Sequence, residues 1–97
     1  DISYYRTQNS RKVGSSNVRI CLVNNTGQPK YMRWTRIQDG VNSLRALKNG
    51  SRSCATLRTN QRVNWDFMDR KRMVKREAMT LNNFGGSLVE FYWVRDY

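Results

Sequence analysis

The chain of 97 residues carries 18 Lys and Arg against 7 Asp and Glu, which gives a net charge of +11 at pH 7, and it contains no His. This length allows one domain with a modest core, and the share of aromatic residues, 11% with a single Pro, argues against a disordered chain. No stretch approaches the roughly 20 apolar residues of a membrane-spanning helix, so no transmembrane segment is predicted.

The excess of positive charge is the strongest feature of the composition. A charge this large on a small body costs stability by self-repulsion and attracts polyanions over a distance set by salt. We therefore expect an anionic macromolecule or surface as partner: acidic lipid, glycan or nucleic acid. A solvated basic surface that only maintains solubility is the competing interpretation.

The first 17 residues are polar and basic and show no sustained hydrophobic period. They predict an N-terminal arm over residues 1–17, with at most a short strand at 2–6, followed by a single β domain over residues 18–97. The sequence starts at Asp1 without an apolar leader, which is typical of a mature exported product or of a trimmed piece.

The first half of the β domain alternates apolar and polar residues between turn signals. Residues 18–23 and 31–37 read as strands, separated by the turn cluster NNTGQP and followed by the turn signal Asp39-Gly40. Residues 42–47 fit a short strand or one turn of helix, and we favour the strand. Asn49-Gly50 then predicts a two-residue type I′ hairpin into a strand over residues 53–58.

The second half contains the clearest strand, RVNWDFM, in which Val63, Trp65 and Phe67 share one face. Residues 73–81 fit a helix or a strand; the strand is favoured because cations in the first turn would oppose a helix dipole. After the turn cluster NNFGG, residues 87–94 predict a last strand, whose inward-facing residues are Val89, Phe91 and Trp93.

Turn signals recur every 10 to 14 positions, which is typical of an antiparallel all-β domain. The sequence therefore predicts a small antiparallel β-sandwich or barrel of about six to seven strands. Cys21 and Cys54 both fall on predicted strands, and we expect one disulfide between them, tying two strands across the sandwich, rather than two buried thiols. The disulfide favours a secreted or periplasmic protein.

The densest positive charge follows the clearest strand, and it marks the candidate binding site: Arg70, Lys71, Arg72, Lys75 and Arg76. Arginine can form paired hydrogen bonds to phosphate, and the same charges are attracted to anionic lipid or glycan. A possible accessory site repeats the basic and aromatic pattern at Arg33, Trp34 and Arg36, although a buried Trp34 between solvent-facing arginines is the simpler interpretation.

Catalysis and cofactor binding have little support in the sequence. The usual general base is missing because there is no His, and no catalytic residue is predicted. The sequence shows no CxxC, no phosphate-binding glycine motif and no carboxylate cluster, so neither a metal nor a cofactor is expected. Asn24 and Asn49 both match the N-glycosylation pattern within predicted turns.

In layout, with a first-strand cysteine, a short β-rich body and strong positive charge, the chain resembles small secreted β-sandwich toxins and effectors. The leading hypothesis is a secreted, non-enzymatic binding protein, such as a toxin, antimicrobial or host-directed effector, that engages an anionic membrane or cell-surface polymer. The alternative is a nucleic-acid-binding β module that uses Arg-rich strands and the basic run.

Overall fold

The computed structural model describes residues 1–10 and 14–96, and nearly all of its regular structure is β-strand. A single-turn 3-10 helix, Leu81–Asn83, precedes the last strand. The strands in chain order are β1 Ile2–Ser10, β2 Asn17–Asn24, β3 Lys30–Arg36, β4 Asn42–Leu47, β5 Arg52–Arg58, β6 Arg62–Asp69, β7 Arg72–Thr80 and β8 Ser87–Asp96. The all-β prediction is confirmed, with eight strands where six to seven were expected. Of the two ambiguous segments, 42–47 forms a strand, and 73–81 forms a strand up to Thr80.

Two four-stranded sheets pack face to face. Sheet I has the order β1-β8-β2-β5, and sheet II has the order β4-β3-β6-β7. All pairings are antiparallel except β2 with β8, which run parallel. The chain crosses between the sheets at the β2–β3, β4–β5, β5–β6 and β7–β8 connections, so of the two predicted alternatives, sandwich and barrel, the architecture is the sandwich.

The core lies between the sheets and is formed by alternate residues of the central strands. As predicted, Val63, Trp65 and Phe67 of β6 are fully buried, and Trp93 of β8 packs its ring edge-on against Phe67 at a centroid distance of 5.4 Å. The inward residues of β2 and β8 complete this layer: Val18, Ile20, Leu22, Val89 and Phe91. Large aromatic side chains thus supply much of the apolar area that such a short chain can bury.

The disulfide joins neighbouring strands of one sheet. Cys21 on β2 lies directly opposite Cys54 on β5, with their Cα atoms 4.0 Å apart. The predicted bond is therefore present, but the expectation that it would tie strands across the sandwich is wrong. Both cysteines occupy the outer face of sheet I, because the alternation of β2 turns Ile20 and Leu22 into the core.

Most of the region expected to be an N-terminal arm belongs to the sheet. β1 pairs with β8 from Ile2↔Asp96 to Ser10↔Ser87. The sequence shows no clear alternation here because β1 is an edge strand, with only Ile2 and Tyr4 packed against the core. Two of the arm's basic residues, Arg11 and Lys12, lie outside the described residues.

The Asn49-Gly50 turn connects two sheets and is not a hairpin. β4 belongs to sheet II and β5 to sheet I. Ser51 N–H donates to Lys48 carbonyl at 3.0 Å, and only Gly50 has a positive φ, of 82°, whereas a type I′ turn needs positive φ at both central residues. The hairpin prediction is therefore wrong although the turn is real.

Candidate anion-binding site

The basic run begins at the turn of the β6–β7 hairpin. Asp69 and Arg72 form the last strand pair, so Arg70 and Lys71 occupy a two-residue loop. Arg70 adopts φ of 57°, a left-handed conformation that glycine accepts at far lower cost. The chain reverses direction at Arg70 and Lys71, so these two cations lie at one end of the sandwich, and the rest of the basic run continues along β7.

Four of the five predicted cations remain available at the surface. Arg70, Lys71, Arg72 and Lys75 are all exposed. Arg72 has a loose contact with Asp69, 3.7 Å between Nη2 and Oδ2, while its side chain stays 70% exposed. Neither Arg70, Lys71 nor Lys75 forms an ion pair within residues 1–10 and 14–96. The structure thus brings Arg70, Lys71 and Arg72 together at the turn, whereas Lys75 lies opposite the inward-facing Phe67, on the other face of β7 from Arg76.

Arg76 differs from the other members of the run because it is bound within sheet II. The fully buried carboxylate of Asp66 accepts from Arg76 Nε at 2.7 Å and from Arg33 Nη2 at 2.8 Å, one arginine on each neighbouring strand. The hydrogen bond to Asp66 holds the pKa of the Arg76 guanidinium above its ordinary value. Arg76 remains part of the basic face but is fixed in orientation.

The three residues of the predicted accessory site are separated. Arg33 faces outward beside Asp66, whereas Trp34 points inward and packs against the core. Arg36 forms a two-point ion pair with Asp39, and that pair, followed by the Val41 N–H, lowers the pKa of the Asp39 carboxyl. The basic and aromatic pattern on β3 therefore does not form one contact surface.

Asp69 is the acid that flanks the turn, and it contacts Arg72 at 3.7 Å and Lys30 at 3.8 Å, while other acids are engaged farther away. Lys30 binds Asp96 at 2.6 Å, and Arg52 binds Glu90 at 2.7 Å. Glu77 accepts a hydrogen bond from the Tyr4 hydroxyl. Three of the acids lie on separate surfaces: Asp66 outside sheet II, Glu77 beside β1 and Glu90 outside sheet I.

Two residues near the turn were missed by sequence reasoning. Tyr31 and Leu44 line a shallow surface cavity of about 330 Å³ together with Arg70 and Lys71. Leu44 is 48% exposed. Only the register of sheet II reveals this proximity, because Tyr31, Leu44 and the turn come from three separate parts of the sequence.

The two N-glycosylation matches lie in different environments. Asn24 is fully buried, and its side-chain nitrogen donates to the carbonyls of Gln28 at 2.7 Å and Leu47 at 3.0 Å. A glycan on Asn24 is therefore incompatible with the folded chain. Asn49 is exposed and uses only its side-chain oxygen, which accepts from Gly27 N–H.

Comparisons with other proteins add no assignment. Neither a protein-family model, a curated protein nor a solved structure matches this chain. Within the described ranges, no three His, Cys, Asp or Glu residues are grouped as metal ligands would be. The same residues include no helix of the length and apolar character needed to cross a bilayer.

Proposed function

We propose that this chain is a secreted, non-enzymatic binding protein that engages an anionic membrane or cell-surface polymer through the β6–β7 turn. The observation that carries the proposal is the exposure of the loop cations Arg70 and Lys71 without ion pairs to described residues, since the flanking Asp69 contacts Arg72 and Lys30 instead. The disulfide supports an oxidising compartment, as in secreted or periplasmic proteins.

The geometry of Arg70 also supports a binding role. A left-handed arginine in a two-residue loop is less stable than glycine in the same place. The presence of an arginine at position 70 is explained if its guanidinium contacts a partner. The nucleic-acid alternative has weaker support, because Trp34, the side chain of the predicted accessory site that would stack on bases, packs against the core.

The experiment compares two double variants that each remove two positive charges. The test variant is Arg70→Gly with Lys71→Gln, in which glycine relieves the left-handed backbone and so protects folding. The control is Arg58→Gln with Arg62→Gln. Arg58 ends β5 and Arg62 begins β6, so both lie at the end of β6 away from the β6–β7 turn, and both side chains are exposed. Binding to a sulfated polysaccharide, to anionic vesicles and to duplex DNA is titrated across salt.

We expect the test variant to bind its anionic ligand about 30-fold more weakly, since each cation near an anionic surface contributes about 1 kcal/mol. For a polyanion the salt dependence should also become shallower, whereas the control should change affinity less than about threefold. Equal losses in the two variants would show that only net charge matters and would refute the site. Preferential binding to DNA would instead favour the nucleic-acid alternative.

A further inference from the structure

The outer face of sheet II is arranged in rows that run across the four strands. The register aligns one apolar row next to the basic turn: Ala46, Tyr31, Met68 and Met73. The next row is Leu44, Arg33, Asp66 and Arg76. Directly opposed residues project to the same side of a sheet, so both rows face away from the core.

These rows expose apolar surface beside unpaired charge. Leu44 is 48% exposed and Met73 is 43% exposed, while Met68 between Tyr31 and Met73 is only 2% exposed. The cavity lined by Tyr31, Leu44, Arg70 and Lys71 joins the apolar side chains to the loop cations. An apolar surface bordered by positive charge is complementary to an anionic bilayer, which offers phosphate and carboxylate groups above a hydrocarbon phase.

We propose that this face binds an anionic phospholipid bilayer, with Leu44 and Met73 inserted below the headgroups and the β6–β7 turn at headgroup level. This inference rests on the proposed function and specifies its ligand. A soluble polyanion could satisfy Arg70 and Lys71 but provides no apolar phase for Leu44 and Met73. The bilayer accounts for both parts of the surface.

The second row supplies further headgroup contacts. Asp66 neutralises one of the two guanidinium charges of Arg33 and Arg76, so the three residues together keep one positive charge. Each arginine uses Nε and Nη2 for Asp66, and their side chains remain 33% and 42% exposed. The remaining N–H groups are therefore held in place for lipid phosphates without further loss of side-chain freedom.

The test removes apolar surface without changing charge. The test variant is Leu44→Thr with Met73→Thr, since threonine keeps the β propensity of both strand positions. The matched control is Ile37→Thr with Val41→Thr, because these residues are 43% and 44% exposed in the β3–β4 turn at the other end of sheet II. Binding to vesicles of phosphatidylcholine with phosphatidylserine is compared with binding to heparin.

We expect the test variant to bind these vesicles about tenfold more weakly while heparin binding stays within twofold, and we expect the control to match the wild type on both. Unchanged vesicle binding in the test variant would overturn the inference. A Leu44→Trp variant provides a second readout, in which brominated phospholipid should quench fluorescence beyond the wild-type level; absence of the added quenching would count equally against insertion.

The two proposals can fail separately. If the wild-type chain binds heparin or DNA through Arg70 and Lys71 but does not bind vesicles, the lipid inference is refuted and the basic turn remains a polyanion site. If none of the three ligands binds at physiological salt, both proposals are refuted. Melting curves of every variant confirm that lost binding does not come from lost folding.

Discussion

At the level of single residues, Asp66 links the neighbouring strands on the outer face of sheet II. Its carboxylate is fully buried and accepts hydrogen bonds from Nε and Nη2 of both Arg33 and Arg76. Hydrogen bonds to charged groups contribute more than neutral ones, and removing one partner from a buried ionic network leaves the others uncompensated. The neighbouring strands β3, β6 and β7 are therefore linked by one side chain.

We predict that Asp66→Asn lowers the free energy of unfolding by about 2 kcal/mol or more, because an amide N–H₂ replaces an acceptor that faces two guanidinium groups. Urea unfolding at pH 7 measures the loss. Asp39→Asn is the control, since it breaks an ion pair with Arg36 at an exposed carboxylate and should cost clearly less. Similar losses in both variants would mean that Asp66 has no special role.

Tyr92 makes the stability of the fold sensitive to alkaline pH. Partial burial, and then the nearby Glu90 carboxylate, raise the pKa of the Tyr92 hydroxyl above 10.0. The folded chain thus retains a proton that the unfolded chain loses as pH rises through about 10. The protonated Tyr92 hydroxyl makes its full contribution to the free energy of unfolding below pH 10. That contribution is lost as pH rises through the folded-state pKa.

We therefore predict that Tyr92→Phe loses less stability than the wild type when pH is raised from 8 to 11. Both chains share the titration of the other tyrosines and of the lysines, so the difference between their pH-dependent losses isolates Tyr92. Urea unfolding at the two pH values provides the measurement. Identical losses in the two chains would contradict the assigned role of the Tyr92 hydroxyl.

At the level of elements, strands were predictable wherever one face is buried by the other sheet. Trp65 of β6 and Phe91 of β8 follow the two-residue alternation because every second side chain enters the core. β1 could not be predicted in full, since an edge strand buries few side chains. The hairpin prediction at Asn49-Gly50 was wrong for another reason. A local turn signal does not specify whether the next strand pairs with the preceding one or enters the other sheet.

The candidate site was predictable only in its charges. The density of cations at residues 70–76 is visible in the sequence, and exposure follows from the hairpin turn. The partner of Arg76 was not predictable, because Asp66 lies on the buried strand ten residues earlier and faces outward. The same holds for Leu44, which reaches the turn through the β3–β4 and β3–β6 registers.

At the level of the whole molecule, positive charge is confined to a small volume. The net charge of +11 is carried by a body with extents of 36 × 27 × 19 Å, comparable to a few Debye lengths at 0.1 M salt. Cations near both ends of β6, such as Arg62 and Lys71, therefore repel each other and the other positive charges of the molecule. This repulsion destabilises the compact state and is relieved by screening.

We predict that adding NaCl from 10 to 300 mM at pH 7 raises the melting temperature, by roughly 4 °C or more if about 1 kcal/mol of repulsion is screened. Screening also weakens exposed ion pairs such as Arg36–Asp39, but these contribute little, and the buried carboxylate of Asp66 is screened less. The Arg58→Gln, Arg62→Gln chain, with less repulsion to screen, should respond less. A melting temperature that falls with NaCl would mean that stabilising ion pairs outweigh repulsion between the cations. The surplus positive charge would then not destabilise the fold, and binding to an anionic surface would have no such cost to offset.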